Sequence, residues 1–151
     1  MLCDIGNGTI NVMYIRSGKP IPSQCYTEKY GVQQCMIAVR EKLMQKFGTT
    51  VDDGIIEDVL RYGKADIGEK YLTAIQKCAR EYVRGIMKRL REHEYNPNLM
   101  RLYVMGGGRC LIWHFVEYDP VRVTINDDIN ATAKGYERLA EAALRKSRVI
   151  V

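Results

Sequence analysis

No apolar run in this sequence approaches the ~20 residues that cross a bilayer, so a helical membrane span is excluded and no membrane partner is expected. The N-terminus lacks a basic region followed by an apolar stretch, so no secretory signal is expected either. Cysteine is present without pattern. Cys3, Cys25, Cys35, Cys78 and Cys110 contain no Cys-x-x-Cys pair, which argues for reduced core thiols in a cytoplasmic protein. The two histidines, His93 and His114, have no metal-like spacing to each other or to the cysteines, which argues against zinc. Internal repeats, low-complexity segments and linkers are all missing. A chain of 151 residues, 46% hydrophobic and 27% charged, then reads as one soluble domain spanning 1–151 with a real core. The formal charge of +5 and a pI near 9.0 invite a nucleic-acid reading. However, the basic residues from Arg84 to Arg91 interleave with Ile86, Met87 and Leu90, as on the solvated face of an amphipathic helix. With no aromatic-interleaved basic patch, no direct nucleic-acid contact is expected.

What is present begins at Asp4-Ile5-Gly6-Asn7-Gly8-Thr9, between the apolar stretches Met1 to Cys3 and Ile10 to Ile15. Two apolar runs around two glycines read as two strands joined by a tight hairpin. Glycine permits positive φ and close approach, so successive N–H groups can converge on an anion, and Asn7 tolerates the same left-handed backbone. Thr9 adds a hydroxyl. Asp4 supplies a hard oxygen of the kind Mg²⁺ takes, often through water. The pattern is the minimum equipment for a metal–polyphosphate, although a plain turn fits the same six residues.

Ser17-Gly18-Lys19-Pro20 supplies a second turn, and Ile21 to Thr27 returns as a third strand whose prolines, Pro20 and Pro22, place it at an edge or a bulge. Gly31 opens a helix carrying Val32, Cys35, Met36, Val39, Leu43 and Phe47, and Gly48 ends it. The start of that helix could favour an anion. A short helix is expected from Thr49 to about Arg61 and a long one from about Gly68 to Glu94, the latter carrying a misplaced Gly85. Leu102 to Met105 is a compact strand running into Gly106-Gly107-Gly108, followed by a helix with Leu111, Ile112, Phe115 and Val116. Val121 to Thr124 is a last strand, and Ala131 to Lys146 a last helix. The economical arrangement is an α/β domain, a mixed five-stranded sheet with helices on both faces.

Three segments resemble one family. Asp4 to Thr9 resembles the second phosphate motif of the actin, hexokinase and heat-shock chaperone ATPase superfamily. Val104-Met105-Gly106-Gly107-Gly108 resembles its adenosine motif, and Asn130-Ala131-Thr132-Ala133-Lys134-Gly135-Tyr136 the segment after its last strand. Their order and the helices between them are most similar to ParM-type bacterial actin-like ATPases. The resemblance covers nearly the whole chain but only the second half of such a protein, and Asn7 stands where the family often has a glycine. It implies a ribonuclease H-like fold with a helical insertion at 49–94 that faces the base and contributes filament contacts. It also implies Mg²⁺ held through water by Asp4, and β- and γ-phosphates cradled by Gly6, Asn7, Gly8 and Thr9. Gly106, Gly107 and Gly108 would pass the ribose and α-phosphate.

The nucleotide implied is ATP or ADP, with GTP or GDP as the alternative. The implied partners are an N-terminal half or complementary chain, further copies in a filament, and a DNA-binding adaptor for plasmid or DNA segregation. Phosphoryl transfer needs charge neutralisation from both sides of the phosphates, so the parent is expected to hydrolyse ATP while this half alone does not. No catalytic residue is assigned to this half. Met1 is expected to mark an expressed domain or a truncated gene product. The rival readings are half of a small-molecule kinase of the same superfamily and a non-catalytic assembly module.

Overall fold

The computed structural model describes residues 1–148. Its strands are β1 (Leu2–Ile5), β2 (Ile10–Arg16), β3 (Lys19–Glu28), β4 (Leu102–Met105) and β5 (Val123–Ile125). Its helices are α1 (Val32–Phe47), α2 (Asp53–Tyr62), α3 (Glu69–Glu92), α4 (Arg109–Phe115) and α5 (Ala131–Arg148). The strands form one mixed sheet in the order β3-β2-β1-β4-β5. The first three run as an antiparallel meander, and β1, β4 and β5 are parallel. This is the α/β architecture expected from the sequence.

Alternation along β1 divides the sheet's two faces. Cys3 and Ile5 are buried with Val12, Ile10, Val104 and Leu102, under the apolar sides of α1, α3 and α4. Each large side chain fully removed from water there contributes about 1.5–3 kcal/mol, so this face carries most of the stability. Leu2 and Asp4 point the other way, with Asn11, Met13 and Met105, towards the start of α5. Residues 49–94 comprise α2 and α3, whose Ile56, Val59, Leu60, Ile75, Ala79, Val83 and Ile86 join the same core as the sheet. Among the described residues, no helix is long and apolar enough to cross a membrane.

The turn between β2 and β3 places Ser17 and Gly18 at φ 50° and 74°, the doubly left-handed backbone whose twist suits a two-residue hairpin. β3 is an edge strand, as Pro20 and Pro22 require, and a register shift falls between Met13 and Ile15 of its neighbour. Three expectations need correction. The last strand is Val123–Ile125 rather than Val121 to Thr124, because Asp119 O accepts from both Arg122 and Val123 N–H and folds that stretch into a turn. Cys25 is exposed on the edge strand, whereas Cys3, Cys35 and Cys78 are buried; all five thiols are free. The long helix ends at Glu92, before Asn96-Pro97, because Glu94 takes φ 70°.

Candidate functional site

The carboxyl ends of β1 and β4 lie side by side, with Asp4 paired to Met105 in parallel register. Each strand leaves the sheet through glycines, β1 by Gly6-Asn7-Gly8-Thr9 and β4 by Gly106-Gly107-Gly108. Two segments 100 residues apart in sequence therefore meet at the carboxyl edge, where α/β sheets admit ligands.

In the first loop, Gly6 N–H donates to Thr9 O at 2.8 Å and closes the turn over Asn7 and Gly8. The carbonyls of Gly6 and Asn7 accept from the Val32 and Gln33 N–H groups at 3.1 and 2.8 Å. Gly31 N–H is taken by Gln34 Oε1 at 2.9 Å. Helix α1 thus commits its leading donors to the hairpin, so its start is sealed rather than open to an anion, contrary to expectation. Gly6, Asn7 and Gly8 all avoid positive φ, which also departs from expectation. Docking the loop's carbonyls onto α1 sets its shape without left-handed backbone. The Asn7 and Gly8 amides have no hydrogen-bond partner among the described residues.

In the second loop, Gly106 has φ 85°, and a Cβ there would collide with Asp4 Oδ1 and stand 2.5 Å from Ile5 O. A Cβ on Gly108 would meet Ile5 Cγ2 and stand 2.7 Å from Val32 Cγ2, while Gly108 N–H donates to Ile5 O at 2.8 Å. These two glycines let the loops touch. Gly8 and Gly107 differ: a Cβ on either would meet nothing within 4 Å, and neither has positive φ.

Asp4 is half-buried between the loops, and its Oδ2 accepts from Thr132 Oγ1 in the first turn of α5 at 3.1 Å. Among the described residues no three His, Cys, Asp or Glu side chains converge on a metal position, so Asp4 is a lone carboxylate. It fits a Mg²⁺ ion that keeps most of its waters and takes other oxygens from phosphate.

Beyond Gly107 opens a cavity of about 640 Å³ lined by Arg61, Tyr62, Arg109, Cys110, Trp113 and Asp127. Docking of α2 on α4 builds it. The His114 ring sits beneath Gly63, with Nε2 3.0 Å from Arg61 O, and Gln76 Nε2 donates to Gly63 O at 3.0 Å. Trp113, on the cavity wall, is 53% exposed. Burial pushes the Cys110 thiol up from its ordinary value, which keeps it neutral. Sequence reading missed this cavity and the Thr132–Asp4 bond.

The family model described as archaeal actin homologue MreB-like, C-terminal, matches residues 2–117. No curated protein matches the chain. Among solved structures it is similar to Ta0583, an archaeal actin homolog, at 24% identity and TM-score 0.64, over 93% of this chain and 48% of that one. It is similar to a non-polymerisable quadruple mutant of pCBH ParM, at 14% identity and TM-score 0.67, over 93% and 46%. Bacillus thuringiensis ParM with ADP is similar at 12% identity and TM-score 0.59, over 85% and 42%. At these identities the likeness establishes the fold. The chain spans just under half the length of each.

Proposed function

The chain belongs to the family of C-terminal domains of MreB-like archaeal actin homologues, and on that premise we propose that it is the nucleotide-binding second half of a filament-forming ATPase. The observation that carries this reading is the pair Gly8 and Gly107. Neither packing nor backbone conformation requires glycine at these positions, yet they flank the place where two loops and Asp4 converge. Bare backbone with nothing against it is what close approach of a ligand demands.

The β- and γ-phosphates lie on the hairpin, where the Asn7 and Gly8 amides donate, with Gly6 shaping the turn and Thr9 closing it. Asp4, oriented by Thr132, holds Mg²⁺ through water, and the ion neutralises phosphate charge. The ribose and α-phosphate pass Gly106, Gly107 and Gly108. The base enters the cavity beside Tyr62 and Trp113, whose rings offer stacking faces, while Arg61, Arg109 and Asp127 supply polar edges. The segment 49–94 reaches the base through the end of α2, which supports reading it as the base-facing subdomain of one domain spanning 1–151. ParM structures with ADP, ATP and AMPPNP are consistent with a nucleotide of this class.

One side of a clamp binds weakly and does not hydrolyse, so turnover needs an N-terminal half or a complementary chain. Self-association into filaments, in service of plasmid or DNA segregation with a DNA-binding adaptor, completes the proposal. Calorimetric titration of the chain with Mg-ATP and Mg-ADP, beside Asp4→Ala, tests it. Weak Mg-dependent binding that the variant loses supports the reading. Binding that Asp4→Ala leaves unchanged overturns it.

A further inference from the structure

We propose that Tyr82, held by a stack of Tyr30 and Arg89, is a positioning residue for the phosphate hairpin, acting through the carbonyl of Gly31. The proposal rests on reading that hairpin as a phosphate site.

The geometry runs inward from the sheet's edge. Glu28, at the end of β3, accepts from Arg89 Nε at 2.8 Å, and its other oxygen lies 3.1 Å from His93 Nε2. The Arg89 guanidinium sits 3.7 Å over the Tyr30 ring, and Nη1 donates to Gly85 O at 3.3 Å. Tyr30 stacks on Tyr82 with centroids 4.2 Å apart and planes 5° from parallel. Tyr82, buried, donates its hydroxyl to Gly31 O at 2.8 Å. Gly31 in turn lies against the hairpin: a Cβ there would collide with Asn7 O and stand 2.6 Å from Thr9 N. The next two residues, Val32 and Gln33, are those whose amides hold the Gly6 and Asn7 carbonyls.

Gly85 is the independent sign that this column is built. A glycine inside a 24-residue helix is unfavourable for the helix itself. Here its missing Cβ makes the notch for the Tyr30 hydroxyl, which any side chain would strike. A helix weakened at one point, two aromatic faces and a guanidinium are thus assembled to aim a single O–H at one carbonyl. That carbonyl belongs to the residue on which the hairpin rests. A guanidinium over one ring face and an offset ring on the other fix the orientation of Tyr30 and, through it, of Tyr82.

The test compares the wild-type chain with Tyr82→Phe, which removes one oxygen and keeps the stack. Amide exchange followed by NMR reads the Val32 and Gln33 N–H groups against those of β1 and β4, and calorimetry reads Mg-ADP. The expected result is about tenfold faster exchange at Val32 and Gln33, with the strand amides changed less than about twofold, and about tenfold weaker Mg-ADP binding. Gly85→Ala is expected to reproduce the local exchange effect, and the double variant Tyr30→Phe/Gly85→Ala to reverse it. Exchange at Val32 and Gln33 that moves no more than the strands overturns the proposal, because a purely structural role loosens the whole domain. If the wild-type chain fails to bind Mg-ADP, the nucleotide reading fails, and the exchange data alone decide whether Tyr82 positions the hairpin. Faster local exchange with unchanged Mg-ADP affinity overturns the functional part of the proposal.

Discussion

The two glycine loops at the carboxyl edge look alike in sequence and are made differently. In the β4–α4 loop, Gly106 and Gly108 are glycines because β1 presses against them, with Asp4 and Ile5 filling the space a side chain would take. In the β1–β2 loop the pressure comes from outside the motif, at Gly31, while Gly8 itself is open. The β4–α4 loop therefore mixes two positions that the fold demands with one, Gly107, that it does not, while in the β1–β2 loop a Cβ on Gly6 would stand 3.3 Å from Thr9 O and one on Gly8 would meet nothing within 4 Å. A glycine-rich motif is no single signal. Only the glycines left over after packing is explained speak for a ligand.

The largest expected effect comes from Gly106→Ala, which adds a clash with Asp4 and Ile5 at a positive φ; it should cost about 2–4 kcal/mol in chemical denaturation. Gly31→Ala should follow at about 2–3 kcal/mol, since its Cβ strikes the hairpin backbone, which cannot swing aside as a long side chain can. The comparison sharpens at the other pair. Gly8→Ala and Gly107→Ala should stay within about 0.5 kcal/mol of wild type in stability, while Mg-ADP binding weakens by about tenfold or more in titration. Equal stability losses in all four variants would erase the distinction between the two classes of glycine. Trp113→Ala should have the smallest effect, about 1 kcal/mol on nucleotide affinity from the lost stacking face and little on stability, read by the same titration.

Much of the fold was legible because its signals are local. The 3.6-residue recurrence from Val32 to Phe47 marks α1, and Gly48 ends it at φ 65°. The alternation of Cys3 and Ile5 with Asp4 marks β1 and also says which way the carboxylate points. The structure brings the two glycine loops and Asp4 together at one sheet edge, but the shape of the first loop was not legible in the sequence. Left-handed backbone was a fair inference from Gly6-Asn7-Gly8, but the loop's conformation answers to Val32 and Gln33, about 25 residues away, whose amides claim its carbonyls. The cavity beyond Gly107 joins Arg61 and Tyr62 to Trp113 through the docking of His114 under Gly63, a contact no periodicity encodes. Val121 failed as a strand for a nearby reason: Asp119 had already captured the backbone there.

Because the hairpin carbonyls accept from the leading amides of α1, loop and helix are bonded end to end, and on the proposed reading they form a lever whose short arm lies at the phosphates. Its long arm is 16 residues, or about 24 Å, so a tilt of about 5° at the hairpin displaces the far end near Gly48 by about 2 Å. A displacement of that size exceeds what packed side chains absorb silently. If the hairpin holds phosphate as proposed, whatever touches the distal end of α1 is placed to feel, mechanically, its arrival or loss.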